Sequence, residues 1–143
     1  MSRYRTFDHG DGTTIMVTAA TLPELFENAA FALFDLSFDL AGVAPTYSRP
    51  LVAPGDGMPE LLVNWLTELI LESERAGIAF SLFMVDRLED GGLQGSASGM
   101  PLSAAVHRRS RVVGIDSAAE PEFTGDEWSV SFEVALGPRL RSV

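Results

Sequence analysis

The segment FDHGDGTT, residues 7–14, brings two aspartates and a histidine together with two glycines. Strand-like sequence precedes it at residues 3–7, and a run rich in β-branched residues follows it at residues 14–19. An Asp-Gly pair between two such segments is a typical β-hairpin signal. Glycine would also let the turn direct several oxygens at one point, as calcium or magnesium requires. From these residues alone the hairpin is the favoured interpretation, and a cation site is the alternative.

The length and composition indicate one folded domain. The chain has 143 residues, of which 46% are hydrophobic, so we expect a single domain over residues 1–143. No apolar run reaches the roughly 18 residues that a membrane-spanning helix needs, and the amino terminus lacks the apolar segment of a signal peptide. We therefore expect a cytoplasmic protein without a membrane partner. The absence of cysteine excludes disulfides and thiolate metal sites.

The charge of the chain bears on its partners. The formal net charge is −10, and every basic residue other than histidine is an arginine. Because so acidic a chain repels phosphate backbones, we expect no strong direct binding of nucleic acid. The only basic cluster consists of His107, Arg108, Arg109 and Arg111. A polar strand or loop face is its favoured interpretation, and contact with RNA or an acidic partner is the alternative.

Two amphipathic helices are predicted in the first half. Residues 21–24 (TLPE) have the form of a capping box, and apolar residues at helical spacing follow as far as Phe34. A second helix opens near residues 56–59, runs to about Arg75 and stops at Gly77. Trp65 lies in the middle of its apolar stripe, so we expect this side chain to be buried. The Pro-rich residues 45–55 would form an edge strand if they form a strand at all.

The second half has the period of β-strands. Residues 78–84 alternate, a weak strand follows at 93–98, a loop at 99–108, and a further strand at 111–115. Hairpin turns are predicted at residues 89–92 and 124–127. The final strand, residues 128–136, alternates so clearly that Glu133 must lie on the face opposite Trp128 and Phe132. The pattern predicts an α+β fold in which one antiparallel sheet, or two small ones, packs against the two amphipathic helices.

Several segments also carry a family resemblance, in a shared order and at nearly the same spacing. They are residues 7–11 (FDHGD), 21–34 (TLPELFENAAFALF), 60–69 (ELLVNWLTEL), 87–91 (RLEDG) and the closing strand. Together they resemble the archease family over residues 4–136. The opening fingerprint of that family is Asp-His-Thr-Ala-Asp-hydrophobic-Gly, so Asp11 stands one position early in this chain. The closing-strand acid, usually Asp, is Glu133. The family's Lys-Ala-Val-Thr-Tyr-His segment corresponds to residues 111–116 (RVVGID), which keep a positive charge but lack the Tyr and His.

The resemblance implies a function and a site. Archeases are accessory factors of the GTP-dependent tRNA-splicing ligase RtcB, and they promote guanylation and repeated turnover of that RNA ligase. A member of this family is an activator in tRNA processing with no catalytic residues of its own. The family holds a divalent cation between the last Asp of the fingerprint and the closing-strand acid. By resemblance, Asp11 and Glu133 are therefore the predicted ligands of calcium, magnesium or manganese, with Asp8 and His9 shaping the turn.

Two other interpretations stay open. The chain could be a diverged archease-fold module for protein interaction, without metal or ligase activation. It could instead be a metal-dependent hydrolase that uses Asp8, Asp11 and Glu133 around a bound water. The sequence contains no P-loop, dinucleotide-type glycine fingerprint or His-Glu-x-x-His motif.

Overall fold

A computed structural model describes residues 4–10, 12–103, 106 and 108–137. The helices are α1 (Leu22–Ser37), a short 3₁₀ helix (Leu40–Gly42) and α2 (Met58–Ala76). The strands are β1 (Tyr4–His9), β2 (Gly12–Ala19), β3 (Tyr47–Gly55), β4 (Ile78–Glu89), β5 (Gly91–Pro101), β6 (Val112–Ala118), β7 (Glu122–Thr124) and β8 (Glu127–Leu136).

The strands form two antiparallel sheets, with both long helices between them. The first sheet has the order β1-β2-β8-β6, with β7 beside β8, and the second has the order β3-β5-β4. Helix α1 packs against β2 and β4, while α2 packs against β3 and β6, so each helix contacts both sheets. This arrangement confirms the predicted α+β class in its two-sheet form. None of the helices in the described ranges is long and apolar enough to cross a membrane.

Local sequence sets the ends of the helices as predicted. The hydroxyl oxygen of Thr21 accepts a hydrogen bond from the Glu24 amide at 3.2 Å and so caps α1. Gly77 ends α2 in the left-handed conformation, with φ +67°. Trp65 is fully buried, as expected, and its indole N–H donates to the Phe26 carbonyl at 3.1 Å, which ties α2 to α1.

The second sheet differs from expectation in its middle strand. β5 continues to Pro101, so the predicted loop at residues 99–108 begins later. Glycine has a low strand propensity, but β5 requires it at two positions where the backbone of β4 comes close. A Cβ at Gly95 would lie 2.3 Å from the Met84 carbonyl oxygen, and one at Gly99 would lie 1.9 Å from that of Ala79. Pairing with β3 on one side and β4 on the other, and not strand propensity, therefore makes this segment a strand.

The first sheet also holds more strand than predicted. The strand before the predicted hairpin turn at 124–127 is β7, whose bounds were not predicted, and β6 extends to Ala118. The closing strand β8 and its hairpin with β7 agree with the sequence pattern, and β3 is an edge strand as its prolines indicated. Trp128 and Phe123 meet across the hairpin, with ring centroids 5.3 Å apart.

Candidate functional site

The site lies at one end of the first sheet, where two residues of the β1–β2 hairpin meet one residue of β8, far away in the sequence. Strand register places Thr14 opposite Glu133 and His9 opposite Gly12. The Thr14 hydroxyl donates to Glu133 Oε2 at 2.6 Å, and His9 Nε2 lies 2.9 Å from Glu133 Oε1 and 3.0 Å from Thr14 Oγ1. We call His9, Thr14 and Glu133 the outer cluster. Gly12 is required beside it, because a Cβ there would lie 2.7 Å from the Val134 carbonyl oxygen.

A second carboxylate and threonine lie on the other face of the same sheet. The hydroxyl of Thr13, which is fully buried, donates to Asp8 Oδ1 at 2.9 Å. Neighbouring residues of a strand point to opposite faces, so Thr13 faces the helices and Thr14 faces away from them. We call Asp8 and Thr13 the inner pair. Of the two residues predicted to shape the turn, only His9 reaches Glu133.

The outer cluster is open to contact. The side chain of His9 is 55% exposed and that of Glu133 is 36% exposed. Two large apolar side chains, Phe7 and Met16, are exposed on the same face, Phe7 directly opposite Thr14 across the β1–β2 pair. Aromatic and methionine side chains are enriched at protein–protein interfaces, so this face has the composition of a surface that binds another protein.

The outer cluster does not have the geometry of a hydrolytic triad. In a nucleophile–histidine–acid triad, the two ring nitrogens of the histidine bind different partners. Here the same nitrogen of His9 contacts both Thr14 and Glu133. Asp8 and Glu133 lie on opposite faces of the sheet and so cannot share one bound water. The hydrolase interpretation combined these two carboxylates with Asp11, which lies outside the described residues, so this separation speaks against it but leaves it untested.

The donors around Glu133 do not by themselves fit calcium or magnesium. Calcium takes six to eight oxygen ligands, and magnesium prefers octahedral oxygen coordination. The outer cluster supplies one carboxylate, one hydroxyl and an imidazole, and both carboxylate oxygens already accept hydrogen bonds. Within the described residues, no three histidine, aspartate or glutamate side chains come together as a metal site would require. Asp11, the other predicted ligand, lies outside those residues, so the Asp11–Glu133 cation site stays a prediction.

The predicted basic cluster lies at the far end of α1. Arg109 donates its backbone N–H to the Ser37 carbonyl at 2.8 Å, and its guanidinium lies 3.6 Å from Asp35 and 3.5 Å from Asp39. The Arg108 guanidinium lies 5.4 Å from the centre of the Phe38 ring. Both arginines thus hold the segment after β5 against the end of α1.

The other two members of the basic cluster are Arg111 and His107. The carbonyl of Arg111 accepts from the Gly137 amide at 2.8 Å, and His107 lies outside the described residues. Contact between a partner and any of the four residues stays a prediction.

Comparison with known proteins identifies the family of this chain. The family model described as "Archease protein family (MTH1598/TM1083)" matches residues 4–115 of the chain. The chain belongs to the archease family. That match includes His9 and Thr14 but ends within β6. Glu133 on β8 therefore lies outside the matched residues, and the pairing of β8 with β2 brings it to the site.

Individual archeases are similar over most of their length. The protein archease of Methanosarcina acetivorans is 30% identical over 141 residues, which cover 94% of this chain and 96% of the relative. That of Sulfurisphaera tokodaii is 31% identical and covers 79% and 82%, and that of Methanopyrus kandleri is 37% identical and covers 70% and 74%. A solution structure, that of Methanobacterium thermoautotrophicum Protein 1598, is 23% identical with a TM-score of 0.79. It covers 95% of this chain and 100% of that one, and it supports the shared fold.

The outer cluster contains one residue that the sequence did not single out. Thr14 donates the shortest hydrogen bond to Glu133, yet it appeared only as part of a strand. The alternation of β2 puts Thr14 on the solvent face, and this much could have been predicted from the sequence. Its pairing with Glu133 depends on the β2–β8 register, which joins residues 119 positions apart.

Proposed function

We propose that this archease is an accessory factor that promotes guanylation and turnover of the GTP-dependent tRNA-splicing ligase RtcB. Membership of the archease family carries this proposal, because the match spans both helices, the β1–β2 hairpin and part of β6. The chain would act as a protein partner and not as a catalyst.

The outer cluster is the proposed contact with the ligase. Two hydrogen bonds fix the Glu133 carboxylate, and both donors sit on paired strands. A side chain already held in place loses little conformational entropy when a partner binds. Exposed Phe7 and Met16 beside it would supply apolar contact area, while the carboxylate would pair with a cationic group of the ligase. This contact would favour the conformation of the ligase that accepts GTP.

Cation binding is a separate part of the proposal. Each oxygen of Glu133 accepts one hydrogen bond, from His9 or from Thr14, and keeps a second lone pair that could bind a divalent ion shared with Asp11. An ion that binds only the folded state raises the free energy of unfolding by RT ln(1 + [L]/Kd), and the melting temperature rises with it. We therefore expect calcium or manganese to raise the melting temperature of the wild type but not that of Glu133→Gln or Asp11→Asn. An equal rise in all three proteins would place the ion elsewhere.

A specific observation favours a second candidate function, the diverged interaction module. Both oxygens of Glu133 are satisfied within the chain, so the residue can serve the fold of the hairpin without any ion or ligase. This candidate predicts a folded protein that does not affect the ligase.

Ligase guanylation separates the two candidates. The ligase from the same organism is incubated with labelled GTP and a divalent metal, with and without the purified chain. Faster formation of guanylated ligase supports the accessory role. No stimulation by a chain whose circular dichroism and thermal melt show it to be folded supports the interaction module.

A further inference from the structure

A cleft runs between α1 and β4, on the side of the molecule formed by the second sheet. Two adjoining cavities, of about 470 and 480 Å³, share Phe31, Ser81 and Leu82 as lining residues. The first continues to Glu24 and Glu27 on α1, and the second continues to the end of α1 and the 3₁₀ helix. We call this the α1–β4 cleft. The interactions described above for the outer cluster do not involve it.

One wall of the cleft is a strand edge. β4 pairs with β5 on one side and with no strand on the other, within the part of the chain that the structure describes. The Val85 amide points away from β5, because it donates to Glu27 Oε2 at 2.8 Å. The register is regular from Leu82 to Val85, so the N–H and C=O of Phe83, two residues earlier, point the same way. Phe83 therefore presents its backbone groups to the cleft, whose lining includes this residue.

The charges of the cleft are unevenly distributed. At one end Arg109 lies beside both Asp35 and Asp39. At the other end, neither Glu24 nor Glu27 forms an ion pair with any of the described residues. Between the ends lie Phe31 and Leu82, and Leu82 is 48% exposed. The cleft thus combines a strand edge, an apolar middle and an uncompensated acidic end.

We propose that the α1–β4 cleft binds an extended, arginine- or lysine-bearing segment of a partner protein by strand addition to β4. An extended backbone is the structure whose N–H and C=O groups match those of a strand edge. Its apolar side chains would cover Phe31 and Leu82, and its cationic side chains would reach Glu24 and Glu27. A second copy of this chain is a poor occupant, because each copy carries a net charge of −10 and presents the same acidic end. This inference does not depend on the ligase.

Peptide binding tests the charge requirement. The probe is a fluorescein-labelled peptide of alternating arginine and valine, and the readout is fluorescence anisotropy with the full chain. We expect Glu24→Gln/Glu27→Gln to weaken binding about tenfold, since two ion pairs are lost. Glutamine at position 27 can still accept from the Val85 amide, so the fold is kept. The matched control, Glu74→Gln/Glu120→Gln, has the same net charge and alters two exposed residues outside the cleft lining. Equal weakening in both double variants would overturn the proposal.

Backbone methylation tests strand addition itself. In an antiparallel pair, alternate residues direct both backbone groups to the same neighbour. Two versions of the peptide are methylated on nitrogen, one at the arginines and one at the valines. We expect one version to lose binding and the other to keep it. Equal binding of the two would rule out pairing with β4. A dimer of the chain that excludes the peptide in sedimentation would assign the cleft to a second copy and also overturn the proposal.

Discussion

The inner pair and the outer cluster use the same chemistry on opposite faces of one sheet. In each, a threonine on β2 donates its hydroxyl to a carboxylate, at 2.9 Å from Thr13 to Asp8 and at 2.6 Å from Thr14 to Glu133. Thr13 is fully buried, so its hydroxyl needs Asp8 to satisfy it. Glu133 is partly exposed and stands beside exposed apolar side chains. We therefore interpret the inner pair as support for the fold and the outer cluster as a contact surface.

The largest expected effect is the loss of stability when a buried side chain on the inner face of β2 is truncated, compared with an exposed one on the outer face. Ile15 is fully buried on the inner face, while its neighbour Met16 is 39% exposed on the outer face. Ile15→Ala should lower the free energy of unfolding by about 2–5 kcal/mol. Met16→Ala serves as the control and should cost less than about 1 kcal/mol. Both values come from urea unfolding. Similar losses in the two variants would mean that the faces have been assigned wrongly.

The next effect concerns the inner pair. Asp8→Ala leaves the buried Thr13 hydroxyl without its acceptor, so the free energy of unfolding should fall by about 1–3 kcal/mol. Thr13→Val removes that hydroxyl, so the same Asp8→Ala change in the Thr13→Val background should cost much less. The coupling between the two substitutions is obtained from a double-mutant cycle in urea. Additive losses would show that Asp8 does not act through Thr13.

A smaller, pH-dependent effect concerns Tyr4, on the inner side of β1. Burial raises the pKa of Tyr4 to about 12. The hydrogen bond that its hydroxyl donates to the Asp35 carboxylate, and the charge of that carboxylate, add to the rise, while Arg109 opposes it. The folded value lies above the ordinary value of 10.0. The stabilisation is therefore complete below about pH 10 and is lost as the pH rises through about 12.

Substitution of Tyr4 isolates this contribution. Tyr4→Phe should make the decline of stability between about pH 10 and 12 shallower. The control is Tyr47→Phe, since Tyr47 is 53% exposed, and it should leave the decline unchanged. Denaturant midpoints across this pH range provide the measurement. A decline in Tyr4→Phe as steep as in the wild type would contradict the assignment.

Local chemistry made much of this fold predictable. Thr21 marked the start of α1, Gly77 marked the end of α2, and alternation along β8 put Glu133 on the face opposite Phe132. The strand β5 was harder to predict, because Gly95 and Gly99 are selected by close approach and not by propensity. The site was only half visible. Asp8 and His9 are adjacent in sequence yet end on opposite faces, and the contact of Thr14 with Glu133 depends on long-range register.

Neutralising one carboxylate from each face tests most directly whether the outer cluster contacts the ligase. Glu133→Gln and Asp8→Asn each remove one negative charge and keep a side chain of similar size. The stimulation of ligase guanylation is measured for each at equal concentrations of folded protein. We predict that Glu133→Gln lowers the stimulation about tenfold, equivalent to about 1.4 kcal/mol, while Asp8→Asn preserves it. Full stimulation by Glu133→Gln, or a selective loss in Asp8→Asn, would contradict the assignment of function to the outer cluster.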